Sequence, residues 1–230
     1  MKYLFFTLSL LYLNTLVFSQ PCKQATMLQP GLKWEVTDYN KRGKAQGKNH
    51  FEILEAGQQE DGYFWKIALE VFDKKGNSLT ASTTEIRCKD GVLNMSMEQF
   101  TSPETYEGLE DMDVEVDASE IQYPTKAQVG TTLPDARVTV KAGSGGMTLM
   151  NIETIVEERK IVDEENIETE VGNFDCVVLE QKTTVKNKIL TIESTGKEWF
   201  LPGFGVIRSE SYNKRGKLTG YTEITSLERP

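Results

Sequence analysis

The chain has 230 residues, of which 38% are hydrophobic and 27% charged, with a formal net charge of −9. That length suffices for one β domain that buries about 70% of its unfolded surface. The acidic balance argues against nucleic acid and against anionic membrane surfaces, both of which favour basic faces.

Met1 to Ser19 reads as a secretory signal peptide. Lys2 is the positive start, Tyr3 to Phe18 a mostly apolar core, and the predicted cut falls after Ser19. The core is short for a membrane span and is interrupted by Asn14 and Thr15. Pro21 precedes Cys22 where lipid attachment needs a small residue. Residues 20–230 are therefore expected as a periplasmic or secreted β domain, not an integral membrane protein. Two β subdomains split near 124–134 are the alternative.

Pro30-Gly31 opens a predicted strand from Leu32 to Tyr39, and after a turn Lys44 to Glu55 returns. Tyr63 to Phe72 alternates, with Tyr63, Trp65, Ile67, Leu69 and Val71 on one face. Leu79 to Cys88 is rich in Thr and Ser, a β-forming strand with one wet face. Val92 to Met97 follows the turn at Lys89-Asp90-Gly91. Ser102-Pro103-Glu104 starts a helix that Gly108 limits to about two turns. Met112, Val114 and Val116 alternate with acids. Tyr123 to Leu133 reads as a connection across the fold. Then come strands at Val138–Val140, Thr148–Glu157, Lys160–Ile167, Phe174–Val185, Ile189–Ser194, Lys197–Leu201, Val206–Tyr212 and Leu218–Leu227.

One hairpin end is written twice. Tyr39 to Lys44 repeats Tyr212 to Lys217 letter for letter, and residues 39–55 and 212–228 agree at 9 of 17 positions. Phe72 to Asn77 is a looser third copy. Asn first and Gly last suit a type I turn closed by a glycine of positive φ. Gly47 and Gly220, four residues further on, are expected to bend their strands. Tight turns between successive strands predict an all-β fold with one short helix: a strongly curved antiparallel up-and-down sheet, an open or half barrel.

Cys22, Cys88 and Cys176 permit one disulfide and three pairings. Cys22–Cys88 is preferred, because one lies at the chain start and the other at a strand end. Cys176, in F-D-C-V-V-L, then stays buried as a small hydrophobe.

Residues for catalysis are sparse. His50 is the sole histidine and reads as a surface or edge residue, and no zinc set accompanies it. The ten acids between Asp90 and Glu120 read as a solvated face, not a calcium site. Gly143 to Gly146 lacks the lysine and helix of a phosphate loop. No catalytic residue, metal or cofactor is assigned. Trp34, Trp65 and Trp199, with Phe200 and Phe204 around the Pro202 turn, are core residues or line a mouth that meets an apolar or sugar ligand.

P-G-L-K-W-E-V-T-D-Y-N-K-R-G-K with Cys22 ahead of it, V-G-T-T-L-P-D-A from Val129, V-G-N-F-D-C from Val171 and E-W-F-L-P-G-F-G-V-I-R-S-E-S-Y from Glu198 resemble the TapB-like exported bacterial proteins, a domain-of-unknown-function family. The resemblance implies an exported, β-rich envelope protein with no assigned enzyme activity, and the chain is expected not to be an enzyme. The W-F…P-G-x-G-V-I-R pattern is similar, more weakly, to curved-sheet lipoprotein carriers of the LolA type, which hold acyl chains in an open half-barrel. The expected function is thus binding of an amphiphilic ligand or envelope component in the concavity of the sheet. The partner would be a lipid, another amphiphile or an envelope protein. The alternative is a structural or interaction protein of an envelope assembly.

Overall fold

The structure, a computed structural model, describes residues 22, 27–60, 62–100 and 112–230. The predicted signal peptide and the helix expected from Ser102 lie outside the described residues. Among the described residues, thirteen antiparallel strands make up the fold. The first five are β1 (Lys33–Asn40), β2 (Ala45–Gln59), β3 (Gly62–Asp73), β4 (Ser78–Lys89) and β5 (Val92–Ser96), followed by a 3-10 turn at Met97–Phe100. Two short strands come next, β6 (Asp113–Ala118) and β7 (Glu120–Pro124). The last six are β8 (Ala136–Ser144), β9 (Met147–Thr169), β10 (Gly172–Lys186), β11 (Thr191–Leu201), β12 (Gly205–Asn213) and β13 (Leu218–Glu228).

The strands form one sheet in the order β6-β8-β9-β10-β11-β12-β13-β1-β2-β3-β4-β5-β7. Neighbours in the chain are neighbours in the sheet on both arms, as tight turns dictate. The first and last strands pair with each other, Lys33 opposite Glu228 and Asn40 opposite Gly220. The two edges, β6 and β7, are consecutive in the chain and separated by Ser119 alone. At this seam the Ser119 amide donates to the Arg137 carbonyl, and its own carbonyl accepts from the Met97 amide, each at 2.9 Å. The sheet therefore curls into a nearly closed barrel.

The repeated tips share one construction. Asn40 accepts the Gly43 amide on its carbonyl and the Arg42 and Lys44 amides on Oδ1. Asn213 does the same for Gly216, Arg215 and Lys217. Asp73 serves Gly76, Lys75 and Asn77 in the third copy. Gly43 and Gly216 have φ of 72° and 67°. A Cβ at Gly216 meets nothing within 4 Å, so any substitution cost there is backbone strain. Gly216→Val should cost on the order of 1–3 kcal/mol, and Gly43→Val a similar amount. Arg215→Ser, on an exposed side chain, should be silent. Urea melts that leave both Val variants at the wild-type midpoint would refute this turn geometry.

Gly47 and Gly220 stand at register shifts, where Asp38/Tyr39 face Gly47 and Ala45, and Ser211/Tyr212 face Gly220 and Leu218. A Cβ on either would lie 2.7 or 2.8 Å from a neighbouring backbone oxygen. The strands bulge where the glycines sit, which adds curl.

Other elements depart from the sequence reading. The two strands expected on either side of Glu158 are one strand, β9, carrying Glu158 at φ 56°. Ile189 and Leu190 belong to a tip, and the strands predicted on either side of Thr195 fuse as β11. The expected connection from Tyr123 begins as part of β7. Beyond it Gly130, Thr131 and Leu133 hydrogen-bond to Ile161 and Arg159, extending the edge of β8 along β9.

The inner face carries the core, including Ile53, Ile67, Leu93, Ile121, Val140, Ile161, Leu179, Ile207 and Ile224. Each is at most 3% exposed. Burying a side chain of this size contributes about 1.5–3 kcal/mol. Cys22 and Cys88 are joined in a disulfide inside this core, and Cys176 is a free, buried thiol.

Candidate functional site

The aromatic residues singled out in the sequence separate by strand parity. Trp34 stacks on Phe51 at 4.8 Å and leans on Phe204 at 5.6 Å, half-buried on the inner face. Trp65 is buried, and its indole donates to the Leu28 carbonyl at 2.7 Å. Phe200 is buried against Tyr123, rings 4.8 Å apart. These four join one core. Trp199, one residue before Phe200, points to the other face of its strand, yet it is buried as well, 7% exposed, and belongs to the same core cluster. Its indole donates to Glu165 at 2.8 Å, the Lys197 ammonium lies 4.6 Å above its ring, and the Arg208 guanidinium 5.7 Å away.

A polar cluster lies within the core. The bulge at Glu158 shifts the phase of β9 so that Val156, Arg159 and Ile161 all point inward. Arg159, fully buried, donates to Gln181 and to the Pro134 carbonyl, both at 3.1 Å, and its guanidinium lies over the Tyr123 ring at 5.0 Å. Gln181 and the Tyr123 hydroxyl donate to the two oxygens of Glu198. Burial pushes the Tyr123 phenol well above its ordinary value, and the Glu198 charge adds to the effect. No periodic pattern in the sequence marks Arg159 as inward unless one residue is skipped at Glu158.

The outer face is more continuous. Register places Trp199, Arg208, Glu223, Thr37 and Lys48 in one row across five strands. The adjoining row runs Lys197, Glu210, Tyr221, Tyr39. Arg208 bridges the rows, donating to Glu210 at 2.8 Å and to Glu223, with its guanidinium 4.7 Å over Tyr221. Tyr212 also donates to Glu210. Tyr39 and Tyr221 stack at 4.8 Å. A planar cation held between carboxylates and aromatic faces is pre-organised, since its orientation is set by both sets of partners.

This face continues into a trough of about 660 Å³ spanning β13, β1, β2, β3 and β4. Two rows of its lining are Glu228, Lys33, Glu52, Ala68, Thr83 and Ser226, Glu35, His50, Glu70, Ala81, and Trp34, Phe51, Leu69 and Ser82, in a third row between them, line it too. Glu35 organises it, accepting from Lys48 and pairing with His50, both at 2.7 Å, and accepting from Thr225 at 2.9 Å. Burial raises its carboxyl, but hydrogen bonds from Lys48 and Thr225 and the nearby cations outweigh that and hold it below the ordinary glutamate range. Four glutamates, Glu35, Glu52, Glu70 and Glu228, are part of its lining. Such a surface suits a ligand that offers hydroxyls or amines. His50, read from the sequence as an edge residue, is part of this lining.

Comparisons with known proteins bear on the fold and the family. A family model described as DUF3108-like matches residues 29–224. A Bacteroides fragilis protein described as exported, with a YmcC-like fold, shares 23% identity over 87% of this chain and 97% of its own, at a TM-score of 0.72. A Parabacteroides distasonis protein described as a lipoprotein shares 20% over 87% and 96%, at 0.74. Among curated proteins none matches. These findings carry the coarser part of the sequence resemblance, and neither the TapB-like name nor the LolA-type likeness is among them.

Proposed function

The chain belongs to the DUF3108-like family, and from that starting point we propose that it is a non-catalytic exported envelope protein that binds an amphiphile or other envelope component in a trough on the outer face of its sheet. The supporting observation is the contiguous outer surface, where partly buried, mutually paired side chains run from Arg208, Glu210 and the Tyr221–Tyr39 stack to the trough around Glu35. The inner face is occupied by its own aromatic and aliphatic side chains, so an acyl chain held inside the curl in the manner of LolA-type carriers is disfavoured. The ligand's polar part would lie in the trough among Glu35, His50 and Glu70, its flatter part against Arg208 and the Tyr221–Tyr39 stack. The packed interior also favours the second reading, an interaction protein of an envelope assembly that takes no small molecule.

Native mass spectrometry of protein recovered from its own cell envelope separates the two. Wild type should carry a retained component, and Ala81→Trp, which fills the trough from an exposed position, should carry much less while melting at the same temperature. Two proteins of bare mass would leave the interaction reading standing and remove the ligand.

A further inference from the structure

The sheet has one end quite unlike the rest. Strand direction puts five hairpin tips there, residues 40–44, 73–77, 144–147, 186–191 and 213–217. Adjacent tips touch: Lys188 donates to the Thr148 carbonyl at 3.2 Å, Lys214 pairs with Glu193 at 3.1 Å, and Gly47 lies opposite Asp73. The five segments hold ten Lys or Arg and a single acid, Asp73, leaving sixteen cations against thirty-four acids elsewhere. Every one of those ten cations is exposed. Large aliphatic side chains project from the same end. Ile189 is 96% exposed, Met147 69%, and Leu149, Leu190 and Ile192 more than half.

We propose that this rim of tips is a docking face for an anionic lipid bilayer, with the cations meeting headgroup phosphates and the tips at 144–149 and 189–192 entering the interface. Charge complementarity is the argument. Exposed Ile and Met at a loop end lose apolar hydration by entering the interfacial zone, while flanking Lys and Arg are drawn to anionic headgroups. Glu98, Asp113, Glu153 and Glu193 also stand at or next to this end, the last two against Lys186 and Lys214, but most of the acidic remainder lies away from it and is repelled by the same surface, which favours one orientation. Overall acidity, which argues against membrane surfaces when averaged over the chain, thus hides a segregated charge. The rim lies beyond the trough along the strands, and the proposal does not rest on ligand binding there.

Flotation of residues 20–230, the chain after the predicted cut, with vesicles tests it. Phosphatidylglycerol mixed with phosphatidylcholine should carry the protein up, phosphatidylcholine alone should not, and salt should release it. Each rim cation is worth about fivefold in partitioning, so Lys41→Glu with Lys214→Glu should weaken binding by more than tenfold. Ile189→Ser should weaken it as well. Lys89→Glu, exposed at the opposite end of the strands, makes a charge change of the same sign and should leave binding near wild type. Absence of flotation, equal flotation on neutral vesicles, an effect of Lys89→Glu as large per charge as those at the rim, or indifference to Ile189→Ser would each overturn the docking face. Capture of an acidic protein without vesicle binding would do so too.

Discussion

Arg159→Ala should lower stability by about 3–5 kcal/mol, the range for removing one member of a buried charged network. The side chain is fully buried, and three groups depend on it. Gln181 and the Pro134 carbonyl would each lose a donor, and Glu198 would lose its nearby cation. A cavity beside Tyr123 adds to the loss. Among the described residues Arg159 Nη2 already lacks a hydrogen-bond partner, so part of the desolvation penalty is present in the wild type. Arg159→Met keeps the volume without the charge and should recover part of the difference. Equilibrium urea unfolding measures both, and an Ala variant within about 1 kcal/mol of wild type would mean the side chain does not occupy the core.

The same cluster has a pH signature. Burial holds the Glu198 carboxyl above its ordinary value against the opposing pull of Tyr123, Arg159 and Gln181. A carboxyl whose folded value exceeds its unfolded one stabilises the fold while protonated. That contribution fades as pH rises from the ordinary glutamate range through the raised folded value. Glu198→Gln should flatten stability across that window.

Breaking the Cys22–Cys88 bond is the second large effect. The bond spans 66 positions. In the chain-entropy model a closed loop of that size stabilises by about 4 kcal/mol. Both cysteines are buried, so the double replacement Cys22→Ala/Cys88→Ala removes packing as well as the constraint. Calorimetry of oxidised, reduced and double-Ala protein should show the oxidised form melting highest by a wide margin. The remaining thiol gives a control. Burial, with the adjacent Asp175, pushes Cys176 up to about 12, so it should resist alkylation until the chain unfolds. Mapping that finds Cys176 in the bridge would overturn the assignment.

Local rules carried much of the fold. Asn40 to Lys44 and Asn213 to Lys217 dictate their turns through side-chain acceptors and one glycine each, and these set the meander. Gly47 and Gly220 flagged bends because a strand has no other use for them. Where the sequence reading stopped, a local rule was overridden by a distant partner. Glu158 is not a residue that announces a bulge, so the sequence reads as two strands with Lys160 starting the second, and nothing in it marks Arg159 as inward. Pro124 suggested a break, yet it is the last residue of an edge strand, where a missing amide is harmless. The aromatic set could have been divided in advance, because Trp199 and Phe200 are adjacent in a strand and cannot share a face. The outer rows were visible as polar alternation in each strand separately. Their joining into one surface depends on pairing between β1 and β13, which no window of sequence contains.

That pairing also sets a clock. Thr37 and Thr225 donate and accept across 188 positions, at 2.8 Å. Each hairpin can form as soon as its own residues are free, because its loop is short. The first strand must wait for the last, with its outer edge bare and Trp34 without its neighbour Leu227 until synthesis is complete. Contacts of such long range slow the final step and leave an unpaired edge open to other chains. The vulnerable moment in the life of this molecule is therefore the interval between the first strand and the thirteenth.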